Sequence, residues 1–218
     1  MKKLFLSIFV ITLLLSCNKD LDKDTEKPNT FVKDNYTKTE VDIEMRDGIK
    51  LHTTIYSPKD TSKEYPILMQ RTPYSSRPYG KEMKTKIGPN IHLMKEGNIV
   101  VYQDVRGRWM SEGVYYNMRA YIPNKTAKQA DETTDTYDTI DWLIKNVANN
   151  NGKVGTWGIS YPGHYATVST IDAHPALKAA SPQACIGDFF FDDFHHSGAF
   201  LLSYFRAISL FGTYKDQP

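Results

Sequence analysis

The sequence predicts an α/β fold, in which a mainly parallel, doubly wound sheet follows an antiparallel β-hairpin. The first observation is a period-two alternation of apolar and polar residues near residue 40, which indicates the hairpin. The second is that short apolar runs then alternate along the chain with segments of helical spacing. Strands that alternate with helices favour a parallel sheet, because parallel neighbours need a crossover connection.

The individual elements come from the positions of apolar and turn-forming residues. Residues 41–45 alternate, Arg46-Asp47-Gly48 provides a turn, and the alternation resumes over residues 49–56. The runs 65–70 and 98–102 are short and apolar, which is typical of strands buried on both faces. The further predicted elements are, in chain order, a helix over 84–95 that Gly88 and Pro89 interrupt, a helix over 131–147, a strand over 153–159, a helix over 162–171 and a strand over 177–186.

The first 17 residues have the layout of a secretory signal peptide. Two lysines precede the apolar run 4–15, which is too short to span a bilayer stably, and small Ser16 precedes Cys17. Leu14-Leu15-Ser16-Cys17 resembles the lipobox of bacterial lipoproteins, in which the cysteine becomes the lipidated N-terminus. We therefore expect export across the bacterial inner membrane, a periplasmic or outer-membrane-anchored protein, and membrane contact only through the lipid on Cys17. The polar segment 18–38 is predicted to be a flexible tether.

Charge and cysteine content narrow the classes of partner. The formal net charge is +2, which gives no reason to expect a nucleic acid partner, so a small molecule is favoured. Cys17 and Cys185 are the two cysteines of the sequence, so lipidation of Cys17 would leave no internal disulfide. Cys185 is expected to be a buried, unreactive thiol.

The segment Gly158-Ile159-Ser160-Tyr161-Pro162-Gly163 lies between a predicted strand and a predicted helix. A nucleophilic serine needs a tight turn at the carboxyl edge of a sheet, and a glycine two residues earlier permits that turn. Pro162 replaces the second glycine of the G-x-S-x-G pattern, and it is acceptable in the first helical turn. A serine between glycines is more often an ordinary turn, but the strand-turn-helix context makes Ser160 a candidate nucleophile.

Four motifs in chain order resemble those of the cocaine esterase / X-Pro dipeptidyl-peptidase family (CocE/NonD-like serine hydrolases), and most of all its α-amino acid ester hydrolases. The resemblance covers about residues 39–200. The motifs are Arg71-Thr72-Pro73-Tyr74, the block 103–108 with Ser111-Glu112-Gly113, the serine segment 158–163 and the segment 172–178.

The resemblance implies an α/β-hydrolase domain without a cofactor. Ser160 would attack the acyl carbon, and the oxyanion would be held by the backbone N–H of Tyr161 and the hydroxyl of Tyr74. Without the resemblance, Tyr74 would be interpreted as a surface tyrosine in a turn. Asp104 and Arg106 are expected to form a structural ion pair near the site, since a guanidinium suits that role.

Residues 187–200 combine carboxylates with His195 and His196. Adjacent histidines point to different sides of a helix, so no metal site is expected. The resemblance, aligned on Gly198-Ala199-Phe200 with a one-residue deletion, implies that Asp193 belongs to a carboxylate cluster that holds the α-ammonium of the substrate. The alternative is a solvated acidic helix start.

None of the six histidines matches the base of a catalytic triad, which follows the serine and the acid in α/β-hydrolases. His164 lies four residues after Ser160 on the same predicted helix. The triad acid and base are therefore expected beyond residue 218, with residues 39–187 as the N-terminal part of the hydrolase domain and residues 188–218 as the start of a helical cap.

The expected function is hydrolysis of esters or amides through an acyl-enzyme, on α-amino acid esters or related acyl compounds such as β-lactams. The 218 residues alone are expected to show little turnover, since a serine without its base is a poor nucleophile. Alternatives within the family are an X-Pro dipeptidyl-peptidase and a general carboxylesterase. An alternative from another class is a non-catalytic lipoprotein that retains a partial hydrolase fold. The sequence leaves open whether the full-length protein forms a homo-oligomer.

Overall fold

A computed structural model describes residues 30–204 and 206. The predicted signal peptide, Cys17 and residues 18–29 of the predicted tether lie outside the described residues. The remainder of that tether differs from the prediction, because residues 31–38 form a short helix and the start of the first strand. Val32 and Tyr36 are buried there, and the Tyr36 hydroxyl donates to the Met94 carbonyl at 2.8 Å.

The helices and strands alternate as the sequence predicts. The helices are α1 (Phe31–Asn35), α2 (Ile91–Glu96), α3 (Glu132–Asn146) and α4 (Tyr161–Val168), with a π-helical turn at Phe189–Phe194. The strands are β1 (Tyr36–Glu44), β2 (Lys50–Pro58), β3 (Tyr65–Thr72), β4 (Ile99–Asp104), β5 (Asn150–Ile159), β6 (Leu177–Gln183), β7 (His195–His196) and β8 (Ala199–Phe200).

Strands β1 to β6 form one sheet in the order β1-β2-β4-β3-β5-β6. The β1–β2 hairpin is antiparallel and joins β4 through a second antiparallel pairing, whereas β4, β3, β5 and β6 are mutually parallel. This arrangement confirms the predicted fold class. The carboxyl ends of β3 and β4 lie side by side, since Thr72 pairs with Asp104.

Both faces of the sheet are covered, which β4 shows most directly. All six residues of β4 are buried. Ile99 and Val101 belong to one hydrophobic cluster, and Val100 and Tyr102 belong to another. Successive side chains of a strand point to opposite faces, so the continuous apolar run reflects a strand between two packed layers.

Helix α3 matches its prediction because its N-terminus is capped by side chains. The Asp131 carboxylate accepts from the backbone N–H groups of Thr133 and Thr134, and the Thr134 hydroxyl accepts from the Asp131 N–H. This reciprocal capping box fixes the first turn of the helix.

Several predictions differ in detail, and the helix and strand predicted to end at 171 and 186 end at Val168 and Gln183. Only Ile91–Glu96 of the predicted 84–95 helix is helical, because Gly88 adopts φ +75° and Asn90 caps the helix after it. Cys185 is half-buried, with its sulfur 3.3 Å from the hydroxyl oxygen of Thr167. Within residues 30–204 and 206, no helix has the length and apolar character that crossing a bilayer requires.

Candidate active site

Ser160 lies on a strained turn between β5 and α4. Its backbone has φ 62° and ψ −124°, outside the regions that non-glycine residues normally occupy. Such a conformation costs on the order of 1–3 kcal/mol and persists only where the surroundings impose it. The turn is held by the Ser160 N–H, which donates to the Gln183 carbonyl at 2.9 Å, and by the His164 N–H, which donates to the Ser160 carbonyl at 3.1 Å. This is the geometry of a nucleophile elbow.

The two glycines around Ser160 are required by close backbone approach. A Cβ atom on Gly158 would lie 2.2 Å from the carbonyl carbon of Pro162, and one on Gly163 would lie 2.6 Å from the Gln183 carbonyl oxygen. Gly158 therefore lets the helix fold back over the strand, and Gly163 lets α4 pack against β6. Pro162 lies in the first helical turn, as the sequence predicts.

Tyr74 follows the end of β3 and reaches Ser160. The Tyr74 phenol lies close enough to the Ser160 side chain for that side chain to affect its pKa. Burial raises the pKa of the Tyr74 phenol above its usual value, and the Ser160 side chain lowers it in part. The phenol is therefore protonated at neutral pH, so it can donate a hydrogen bond to negative charge that develops beside Ser160.

Tyr161 is the first residue of α4, and backbone N–H groups at a helix N-terminus favour negative charge. Its phenol is fixed by three hydrogen bonds: it accepts from the Tyr115 hydroxyl at 2.7 Å and the Met118 N–H at 2.8 Å, and it donates to the Asn117 amide oxygen at 2.6 Å. Its ring also meets the Tyr74 ring edge to face, with centroids 6.3 Å apart. The first helical turn after Ser160 is thus anchored to the loop at residues 115–118.

His164 lies under the elbow. Its ring packs edge to face against Tyr161 and Tyr165, and its Nε2 is buried without a hydrogen-bond partner in the part of the chain that the structure describes. Burial and, to a smaller extent, the charge of Arg71 lower the pKa of His164 below its usual value. The imidazole is therefore neutral at pH 7.

Asp193 lies in the π-helical turn and is 8% exposed. It accepts a 2.5 Å hydrogen bond from the Tyr204 hydroxyl, within its own segment. The two neighbouring histidines have different surroundings: His195 stacks on Phe190, whereas His196 Nε2 contacts the Asp192 carbonyl oxygen. The structure thus shows Asp193 as a buried carboxylate, and its contact with a substrate stays a prediction.

The prediction of an ion pair between Asp104 and Arg106 is wrong. Arg106 instead binds two other carboxylates, Asp135 and Asp47, each at 2.7 Å. Asp104 accepts from the Ser76 N–H at 2.6 Å and the Tyr79 hydroxyl at 2.7 Å. Strand β4 ends at Asp104 and a turn follows, so residues 104 and 106 no longer share the face on which two alternate strand residues would meet.

The sequence reasoning missed the buried ionic network around Arg71. Arg71 is 3% exposed and donates to the Glu132 carboxylate and the Thr136 hydroxyl, both at 3.0 Å. Its guanidinium also lies 5.4 Å from the centre of the Tyr165 ring. The sequence signal for this network is the charged Arg71 at the end of the apolar strand β3, because a buried cation needs partners.

Comparisons with known proteins agree with this architecture. Residues 47–216 match the family described as X-Pro dipeptidyl-peptidase (S15 family). An aminopeptidase from the marine sediment archaeon Thaumarchaeota archaeon is 38% identical, with a TM-score of 0.68 over 85% of this chain and 31% of that one. An α-amino acid ester hydrolase is 37% identical, with a TM-score of 0.72 over 88% of this chain and 33% of that one.

Among characterised proteins, the cocaine esterase of Rhodococcus sp. (strain MB1 Bresler) is 29% identical over 161 residues, which are 73% of this chain and 26% of the esterase. The chain therefore spans between a quarter and a third of the length of these relatives. The family match covers most of the sequence and includes the elbow, so the chain belongs to the X-Pro dipeptidyl-peptidase (S15) family of hydrolases, which the four motifs indicate.

Proposed function

We propose that this chain provides the nucleophile and the oxyanion-binding groups of a serine hydrolase that cleaves esters or amides through an acyl-enzyme. The observation that carries the proposal is the strained backbone of Ser160 on a strand-turn-helix elbow, with the Tyr74 ring packed edge to face against the ring of the next residue, Tyr161. A strained backbone conformation lowers the stability of the fold, so it is retained mainly where it serves a functional site.

In this mechanism the Ser160 oxygen attacks the carbonyl carbon of the substrate and its proton passes to a general base. The carbonyl oxygen gains the negative charge, and the Tyr74 hydroxyl and the Tyr161 N–H donate hydrogen bonds to it. Each such donor is worth about 3 kcal/mol in the transition state. Collapse of the tetrahedral intermediate expels the alcohol or amine with a proton from the same base. Water then attacks the acyl group, which leaves as the acid and regenerates Ser160.

We propose that the general base and its acid come from outside the described residues. His164 shares the helix that starts at the elbow, and its ring packs against Tyr161 and Tyr165 of that same helix. In the S15 relatives, about two thirds or more of the chain lies outside the part that this sequence matches. The α/β-hydrolase chain order places the acid and then the histidine after the serine.

The proposed substrates are acyl compounds with a free α-amino group, such as α-amino acid esters. Two relatives at 37–38% identity are named for such substrates, an α-amino acid ester hydrolase and an aminopeptidase. Asp193 is a buried carboxylate in the segment that leads into the proposed cap, and a buried anion suits an ammonium group because each compensates the other's desolvation.

The role of Ser160 as nucleophile is tested by hydrolysis assays on the full-length natural protein. Ser160→Ala is expected to lower kcat by about 10⁴-fold or more, since the bond-forming atom is lost. Ser181→Ala, on the exposed part of neighbouring β6, is the matched control and should leave turnover unchanged. A fluorophosphonate should label Ser160 in the parent protein. Full turnover by Ser160→Ala would contradict the proposal.

The substrate class is tested with phenylglycine methyl ester, an acetate ester and an X-Pro anilide. Asp193→Asn is expected to raise KM for the amino acid ester far more than for the acetate ester, because only the former has an ammonium group. Asp192→Asn, at the exposed neighbour, controls for disturbance of the segment. Equal effects of Asp193→Asn on both esters would remove Asp193 from this role, and preference for the anilide would favour a dipeptidyl-peptidase.

A further inference from the structure

The Tyr74 side chain is only partly buried. Tyr74 is 45% exposed, and its ring lies edge to face against the Tyr161 ring, with centroids 6.3 Å apart. A half-exposed aromatic side chain keeps its contacts only while the backbone that carries it is fixed, because exposed side chains move rapidly among rotamers. The position of the hydroxyl therefore depends on the turn that carries Tyr74, which comprises residues 73–79 and is called the tyrosine turn below.

The tyrosine turn contains a strained residue directly after Tyr74. Ser75 has φ 105°, which is unfavourable for any residue with a Cβ atom. The Tyr74 N–H donates to the Thr72 hydroxyl at 3.0 Å, which fixes the entry into the turn. The strain at Ser75 requires a second attachment on its other side.

That attachment is the carboxylate of Asp104, the last residue of β4 and 0% exposed. One oxygen accepts from the Ser76 N–H at 2.6 Å, and the other accepts from the Tyr79 hydroxyl at 2.7 Å. The Tyr79 hydroxyl also lies 2.8 Å from the Ser75 hydroxyl. A single carboxylate thus ties the middle and the end of the tyrosine turn to the sheet.

Among the described residues, Asp104 is a buried carboxylate held by hydrogen-bond donors. Burial raises the pKa of Asp104, and the hydrogen bonds from Tyr79, Ser76 and Met110, with a smaller effect of His52, oppose that rise. Among the residues that the structure describes, no lysine or arginine forms an ion pair with it. A buried carboxylate without a cation costs folding free energy, which is offset here by the hydrogen bonds from the tyrosine turn and by a longer one, 3.4 Å, from the Met110 N–H.

We propose that Asp104 is a positioning residue, which holds the tyrosine turn so that the Tyr74 hydroxyl faces Ser160. This inference rests on the proposed serine hydrolase function and adds a residue that acts through Tyr74. Asp104→Asn keeps the shape but removes the negative charge and replaces one acceptor by an amide donor, so either the Ser76 N–H loses its acceptor or the Tyr79 hydroxyl must reverse its hydrogen bonds. The turn then relaxes and the Tyr74 hydroxyl loses its alignment.

A double-mutant cycle in the protein as the cell makes it tests the proposal. Tyr74→Phe is expected to lower kcat by about 10²-fold, as loss of one oxyanion donor does. Asp104→Asn is expected to lower kcat by about 10- to 10²-fold with little change in KM, because a misplaced group acts on the transition state. In the Tyr74→Phe background, Asp104→Asn should cost less than about 2-fold, since no hydroxyl remains to be positioned.

The control is Asp47→Asn, which weakens another carboxylate contact, to Arg106, away from the tyrosine turn. It should leave kcat unchanged. If Asp104→Asn does not fold, Tyr79→Phe removes one of its donors and enters the same cycle. Multiplicative losses in kcat, or an unchanged kcat in Asp104→Asn, would overturn the positioning role while an inactive Ser160→Ala still supports the hydrolase. Full activity of Ser160→Ala would instead overturn the function on which the inference rests.

Discussion

The elbow makes a sharp prediction for Gly158→Ala. The added Cβ atom would lie 2.2 Å from the carbonyl carbon of Pro162, 2.3 Å from its oxygen and 2.7 Å from the Gly163 nitrogen. All three are backbone atoms of the first helical turn, so no side chain can rotate away to relieve the contact. The strand and the start of α4 must separate.

The size of the effect follows from those distances. An ordinary contact of a Cβ atom with a backbone atom is 3.4–4 Å, so the first turn of α4 must shift by more than 1 Å relative to β5. Overpacking of this kind costs about 1–3 kcal/mol of unfolding free energy and occasionally more. The shift also displaces Ser160 and Tyr161, and a misplacement near 1 Å lowers turnover by about 10²-fold.

The assay compares kcat and the urea unfolding free energy of Gly158→Ala with those of Gly155→Ala. Gly155 lies on the same strand, three residues earlier, and a Cβ atom there would meet only Leu68 Cδ2 at 3.4 Å and the Ala179 oxygen at 3.8 Å. Gly155→Ala should therefore change stability by less than about 1 kcal/mol and leave kcat unchanged. Equal turnover of the two variants would refute the argument that close approach at the elbow requires glycine.

Two further predictions concern the charges that hold the fold. Hydrogen bonds to Asp131 outweigh its burial and lower its pKa from 3.8 to about 2, so its contribution of about 2 kcal/mol is complete above pH 4 and fades as pH falls toward 2. Urea unfolding of Asp131→Ala should show a loss of about 1–2 kcal/mol at pH 7 that shrinks at pH 2.5, and a pH-independent loss would contradict this linkage. Arg106→Leu leaves Asp135 buried beside only the more distant Arg71, so we expect the free energy of unfolding to fall by about 3–5 kcal/mol. A fall below about 1 kcal/mol in urea unfolding would mean that water replaces the guanidinium.

The features that the sequence predicts well are encoded locally. The alternation before and after Arg46-Asp47-Gly48 specifies a hairpin, and the buried runs at β3 and β4 specify strands because their apolar residues are consecutive. Helix α3 starts where an acidic cap residue precedes it. The glycines at 158 and 163 indicate the elbow because backbone contact permits no side chain there.

The errors arise where partners come from distant parts of the chain. Arg106 pairs with Asp47, 59 residues away, and with Asp135, 29 residues away, and no local spacing indicates either partner. The assignment of Asp104 to Arg106 considered only neighbours in sequence. The helix predicted from residue 84 fails for a different, local reason, since Gly88 adopts φ +75° and the Asn90 side chain caps the helix that begins at Ile91.

The order of strands explains why three separate segments meet at one site. Strand β3 lies between β4 and β5, and all three are parallel, so their carboxyl ends share an edge. Tyr74 follows the central strand, Asp104 ends the strand on one side, and Ser160 follows the strand on the other side. The turn after β3 is therefore the only one of the three that can contact both neighbours. The carboxylate of Asp104 can hold this turn from one side, and Ser160 on the other side can lie next to Tyr74. This arrangement follows from the order of the strands, and no single motif contains it.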